Sequence, residues 1–295
     1  MYIVFMYKLS TETKVHVLSC LTEGMSIRAT VRVTGVAKNT IRNLIREIGP
    51  ACERFHDVWV RHLMTERVQC DEVWSFCYSK QKNVPERFRG HSGYGSIWTW
   101  TAIDADSKFM ISWVIGERDQ EAADTLIRDL KARTFMRIQI STDGLPAYFD
   151  AIFKNFRYGE ADHGEVIKTY ANSKPPAGTT PKSAASRYSP GRLLSATKNP
   201  RFGMPVTKHI STSYMERWNL TLRMQNRRFT RLTNGHSKLI EMHRYSLAIT
   251  FFHYNFIRKH QSLGGKTPAM AAGITQHPFS LRDLLFAADQ FGVAA

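Results

Sequence analysis

An α/β fold, with a mixed sheet flanked by helices and preceded by an all-α helix-turn-helix segment, is what the order of patterns along this 295-residue chain predicts. Three observations carry it. Residues 10–48 repeat apolar side chains at helical intervals, residues 67–117 hold three strand-like runs, and residues 119–156 alternate a helical run, a short apolar strand and a second helical run. Apolar residues make up 43% of the chain, enough for a sizeable core at this length. No run of about 18 apolar residues appears. The opening MYIVFMYKLS lacks the basic leader and small-residue cleavage site of a secretory signal, so the expectation is a cytoplasmic chain without a membrane partner.

The first helix starts at a Ser10 or Thr11 cap, carries Val15, Val17, Leu18 and Leu21, and ends at Gly24. Ser26 caps a second, which Gly35 stops, and a third runs from Lys38 to Ile48 with Ile41, Leu44, Ile45 and Ile48 on one face. A short second helix, a Gly-containing turn and a third helix presenting Lys38, Asn39, Thr40, Arg42, Asn43 and Arg46 make a helix-turn-helix pattern, although any small three-helix bundle shares the spacing. Pro50 is expected to close the third helix. This gives a DNA-binding domain over residues 1–50 and a helical linker over 51–66.

Arg67 to Tyr78 reads as a buried strand with two acids, Asp71 and Glu72, in its middle. Residues 97–103 and 109–117 alternate as strands do, and Asp104, Ala105, Asp106 and Ser107 join them in a hairpin. Asp119 to Thr134 is helical, with an acidic start and a basic end suited to the helix dipole. Met136 to Ser141 is strand-like, Asp143 and Gly144 follow it, and Leu145 to Phe156 is helical again. Beyond Tyr158 the pattern loosens. Residues 166–171 suit a strand, whereas 173–205 reads as a long basic loop or insertion. Strong helices then cover 213–228 and 239–258, before a short tail over 276–295.

Charge is concentrated late in the chain. The net charge is +16, and residues 168–260 hold 17 Lys and Arg against two acids, Glu216 and Glu241. These basic residues are interleaved with Tyr, Trp, Phe, Asn, Ser and Thr, and no long amphipathic basic helix accompanies them. That composition favours nucleic acid over a membrane surface. Cys20, Cys52, Cys70 and Cys77 form no Cys-x-x-Cys pair, which argues for small core residues rather than a zinc or disulfide framework.

Two adjacent acids in a buried strand are costly unless paired or bound to a cation. Other acids stand where they could join them: Asp143 at a strand end and Glu216 on a late helix, where Glu216, Asn219, Leu220 and Arg223 share one face. Three carboxylates at the edge of a mixed sheet suit two Mg²⁺ or Mn²⁺ ions and phosphodiester chemistry. The bland alternative makes Asp71 a strand-edge acid, Asp143 a turn residue and Glu216 half of a surface ion pair. Strand alternation puts only one of Asp71 and Glu72 on the metal side, and Asp104 is a spare acid.

The segments CDEVW (70–74), STDG (141–144), HISTSYMERWNLTLRMQNRRFTR (209–231) and HYNFIRKHQSLGGKTPAMAAG (253–273) resemble those of bacterial insertion-sequence transposases of the DDE type, most closely the insertion sequence one family. The resemblance implies a ribonuclease H-like catalytic domain over 67–275, with Asp71, Asp143 and Glu216 as catalytic and metal-holding acids. On the Glu216 helix face, Asn219 can bond a phosphate oxygen or a coordinating acid and Arg223 can reach the neighbouring phosphate, and Arg227 and Arg228 are expected DNA contacts beside the third helix. The implied partners are double-stranded DNA, as element terminal repeats and target, and further copies of the chain in a homodimer or higher oligomer. Members of that family place a zinc module ahead of the helix-turn-helix, and this chain shows no Cys pairs for one. Two rivals remain: a ribonuclease H-like nuclease without strand transfer, and a DNA-binding regulator built on an inactivated transposase.

Overall fold

The computed structural model describes residues 9–171 and 192–291. Residues 173–191 of the expected insertion lie outside them. The first three helices are α1 (Thr11–Thr22), α2 (Ile27–Thr34) and α3 (Lys38–Trp59). Ser10 and Ser26 cap the first two, their hydroxyls accepting from the Thr13 and Ala29 amides, and Gly35 takes a left-handed conformation (φ 71°) to end the second.

Pro50 does not end α3, which runs through it for 22 residues. A proline inside a helix costs about 3 kcal/mol. Here the faces on both sides of it are buried: Ile41 and Ile48 before it and Ala51, Cys52 and Phe55 after it lie in the main apolar cluster, where each large side chain contributes about 1.5–3 kcal/mol. Packing therefore outweighs the local cost. Most of the expected linker is helix.

Among the described residues the sheet has six strands in the order β3-β2-β1-β4-β5-β6. They are β1 (Arg67–Cys77), β2 (Gly95–Asp104), β3 (Met110–Gly116), β4 (Ile138–Asp143), β5 (Ala161–Tyr170) and β6 (Leu193–Phe202). β1 pairs antiparallel with β2 and parallel with β4, β4 runs parallel to β5, and β6 returns antiparallel on β5. The expected basic loop is thus partly strand: residues 193–202 form β6, and β5 begins at Ala161, ahead of the expected start. β6 was obscured because it is exposed along most of its length and carries no alternating apolar pattern, and the start of β5 because its buried residues include Asp162, His163 and Glu165.

Helices α4 (Gln120–Arg133) and α5 (Pro146–Asn155) connect the parallel strands, and Asp119 caps α4 through the Ala122 amide. After β6 come α6 (Ser213–Gln225), α7 (Ile240–Phe252) with a π-helical turn at His253–Ile257, α8 (Pro268–Ala271) and α9 (Leu281–Phe291). The short tail packs on the core: Phe291 and Phe279 meet Phe55 of α3 at ring-centroid distances of 5.7 and 6.0 Å. One apolar cluster takes in Leu18 of α1, Ile48 of α3, Trp100 of β2 and Tyr148 of α5, and a second joins Val73 of β1 to Met215, Trp218 and Phe251. All four cysteines are free and buried. No helix among the described residues is long and apolar enough to cross a membrane.

Candidate metal centre

β1 lies between an antiparallel and a parallel neighbour, and its two faces meet different helices. Val73 packs on α6, whereas Val68 and Cys70 join the cluster that contains Tyr148 of α5. Alternation therefore aims Asp71 toward α6 and Glu72 toward α5. Parallel pairing aligns Arg67 with Gln139 and Gln69 with Ser141, and the same offset (139 − 67 = 143 − 71) brings Asp143, the last residue of β4, alongside Asp71.

Carboxylate oxygens of Asp71, Glu72 and Asp143 all lie within 4.8 Å of one another. Alternation sends Asp71 and Glu72 to opposite faces, yet one carboxylate oxygen of each lies within reach of Asp143. Pairing of β1 with β4 stops at Gln69 and Ser141, so the acids lie just beyond the paired segment.

Each acid is positioned separately. Asp71 accepts from the Glu72 amide (2.9 Å) and from Asn219 Nδ2 on α6 (2.7 Å). Glu72 accepts from Arg118 (2.7 Å) and from the buried Tyr148 hydroxyl (3.2 Å). Asp143 accepts from the Leu145 amide (3.0 Å), which turns the chain into α5. Burial, then Glu72, then Asp143 push the Asp71 carboxyl up to about 7. Burial and Asp143 also raise Glu72, against Arg118 and Tyr148. Three acids with a single arginine among them make a donor set of hard oxygens suited to Mg²⁺ or Mn²⁺. Asn219 Oδ1, buried without a hydrogen-bond partner, is a further oxygen beside it.

Glu216 is not in that group. It accepts from Thr212 Oγ1 (2.7 Å) and is ion-paired with Lys168 of β5, its side chain half exposed. The bland alternative, half of an ion pair, describes its present contacts. Lys168 links it to the centre: burial lowers the Lys168 pKa, and Asp71 and Asp143 oppose that shift. Asp104, the spare acid, accepts from the Ser107 hydroxyl (2.5 Å) and the Asp106 amide (3.0 Å), so it shapes the hairpin turn.

Of the expected DNA-binding residues, Lys38, Asn39, Asn43 and Arg46 are exposed, and Thr40 and Arg42 are half-buried. Arg46 is paired with Glu241 of α7 (2.8 Å). Asn219 is buried against Asp71, and Arg223, half-buried about two turns beyond Glu216, has its pKa lowered by burial and by Arg231, against Asp71. Arg227 and Arg228 lie beyond the end of α6 and line a cavity with Lys38 and Arg42.

Sequence reasoning missed Gln69, Arg118, Tyr148 and Lys168. Gln69 Oε1 accepts from the Tyr214 and Met215 amides (2.9 and 3.1 Å), supplying the N-terminal cap that Thr212 does not give α6 and pinning that helix to β1. A polar residue at position 69, two before Asp71 and on the same strand face, was the available signal.

No family model matches this chain, and no curated protein matches it. Solved structures similar to it include a cryo-EM piggyBac transposase synaptic complex with hairpin DNA, at 10% identity and a TM-score of 0.39, covering 98% of this chain and 79% of that one. The Mos1 transposase paired-end complex with left transposon end shares 14% identity over 50% of this chain and 58% of that one, with a TM-score of 0.20. The Mos1 strand transfer complex covers 98% of this chain and 81% of its own, at 9% identity and a TM-score of 0.23.

Proposed function

We propose that this chain is a DNA transposase of the DDE type, close to the insertion sequence one family, which cleaves element ends and joins the freed 3′-hydroxyl to target DNA. The observation that carries the reading is the meeting of Asp71, Glu72 and Asp143 within 4.8 Å at the β1–β4 edge, with α6 held there by Asn219. In this reading Asp71 and Asp143 hold Mg²⁺ or Mn²⁺, two ions in all, and Glu216, one turn before Asn219, is the third acid. Bound ions would supply an activated water or 3′-hydroxyl and stabilise the leaving oxygen.

The chain's own residues set up that chemistry. Asn219 orients Asp71, Gln69 fixes the start of α6, and Arg118 with Tyr148 holds Glu72. Lys168, which is paired with Glu216, also lies in the field of Asp71 and Asp143. Residues 1–50 act as a helix-turn-helix domain in this reading and 67–275 as the ribonuclease H-like domain, working as a homo-oligomer on duplex DNA. The exposed Lys38, Asn39 and Asn43 are its base and phosphate contacts.

A strand-transfer assay tests it, with oligonucleotides carrying the element's own ends, a supercoiled target and Mg²⁺. Joined products from the wild type and none from Asp143→Asn are expected. Mg²⁺-dependent nicking without joining assigns a nuclease, and end binding with neither reaction assigns a regulator, a reading that Glu216's pairing with Lys168 would then explain.

A further inference from the structure

Between the N-terminal helices and the segment that follows α6 lies a cavity of about 710 Å³. Its walls are fixed at two close approaches. A Cβ at Gly24 (φ 82°) would run into the Met224 carbonyl, and one at Gly49 would run into the Tyr245 side chain. Arg28, Lys38, Arg42, Arg227, Arg228 and Lys238 line it, and no Asp or Glu does. None of these six forms an ion pair with a carboxylate among the described residues, whereas Arg46, one turn beyond Arg42, is paired with Glu241. Two nitrogens of lining residues, Arg228 Nε and His236 Nδ1, are buried with no hydrogen-bond partner. Burial lowers the pKa of both side chains. Beneath the cations the wall is apolar, formed by Met25, Ile27, Leu239 and Met242.

Six cations without a counter-ion call for a polyanion, and the unpartnered buried Arg228 Nε–H calls for an acceptor oxygen. Shape then selects among nucleic acids. Duplex DNA is read by convex elements that enter its grooves. A concave recess in the range of about 300–1,000 Å³ instead encloses a small ligand, and a cationic cleft with apolar flanks suits the phosphates and bases of one strand. We propose that this cavity is a single-stranded DNA site, which holds an unpaired strand end beside the duplex surface of α3, with Lys38 at the border of the two. The inference shares a DNA partner with the proposed function and does not depend on the acid centre.

Fluorescence anisotropy tests it with a labelled oligo-dT of about eight nucleotides and, beside it, a blunt hairpin duplex. Arg28 and Lys238 are exposed, so Arg28→Ala with Lys238→Ala leaves the core intact. The double variant is expected to bind oligo-dT about tenfold more weakly. Its salt slope should fall by about 1.4, at about 0.7 per phosphate contact on a single strand, while hairpin affinity changes by less than about twofold. Met25→Trp fills the cavity without altering charge and should also weaken oligo-dT binding, with the melting temperature recorded alongside. Unchanged oligo-dT binding in the double variant overturns the proposal, as does equal loss on both probes, which would make these cations part of a duplex surface. Failure of the transposase reading appears instead as absent joining in Mg²⁺, which this assay does not measure.

Discussion

Two polar clusters are buried against the sheet, and they are balanced in opposite ways. At Arg133 the guanidinium is matched on all sides: Nε donates to Asp129 (2.7 Å), Nη2 to Asp57 (2.5 Å), and Nη1 to the carbonyls of His56 and Val60 (3.3 and 3.2 Å). At Asp71, Glu72 and Asp143 three acids share Arg118, which hydrogen-bonds Glu72 alone among them. The first arrangement ties α3 to α4 and needs nothing more. The second leaves acid charge that folding does not neutralise, and its own Asp71 carboxyl is pushed up to about 7. Stability alone does not favour such a cluster, whereas a cation-dependent site requires one.

The contrast is broken most severely by Asp143→Asn. It should reduce Mg²⁺-dependent cleavage by about 1,000-fold, or about 4 kcal/mol at 1.36 kcal/mol per factor of ten, with DNA affinity and melting temperature nearly unchanged. Cleavage assays and anisotropy on one preparation decide this. A cleaving variant would put Asp143 with the structural acids.

Arg133→Met should do the reverse. Removing the cation leaves Asp129 facing Ser112 alone and takes a donor from the His56 and Val60 carbonyls, at a cost of about 3–5 kcal/mol in urea unfolding. If the variant is as stable as the wild type, the closed cluster is not what holds α3 to α4.

The balanced cluster also carries a pH signature. His56 shares Ile111's carbonyl as a partner (2.8 Å) and its pKa is lowered to about 4, by burial first and Arg133 second, from 6.5. Between those values the unfolded chain binds more protons, so stability is full above about 6.5 and is lost as pH falls toward 4. His56 alone accounts for about 2 kcal/mol between pH 7 and 5. His163, His253 and His260, also lowered to about 4, act with the same sign. His56→Gln, followed by urea unfolding at the two pH values, should therefore shrink the pH effect without abolishing it; an unchanged dependence would exclude His56.

The smallest expected effect is at Arg223, whose pKa responds to Asp71 and which therefore stands within the field of the centre. Arg223→Ala should reduce the salt slope of duplex binding by about 0.9, one phosphate contact, and leave residual cleavage. A slope equal to the wild type's would make Arg223 a partner of the acids rather than of DNA.

Much of this architecture was legible residue by residue. Ser10, Ser26 and Asp119 announced their helices because cap chemistry is local, and the Asp71–Asp143 meeting followed from one strand and one strand end. What was illegible depended on tertiary contacts. Pro50 reads as a stop until the α3 faces around it find α7 and α9. β6 has no apolar alternation because its sides are exposed, so only pairing with β5 reveals it. Gln69, Arg118 and Lys168 carry no motif, and their roles are set by groups 46 to 146 positions away along the chain.

If the unbalanced acids hold divalent cations, Mn²⁺ titration followed by electron paramagnetic resonance shows it without any DNA substrate. The wild type is expected to bind two Mn²⁺ ions. Asp143→Asn should lose at least one of them, and Glu216→Gln should weaken binding by about tenfold if Glu216 leaves Lys168 to join the set. Mn²⁺ binding in Asp143→Asn that equals the wild type's in both number and affinity would contradict the account.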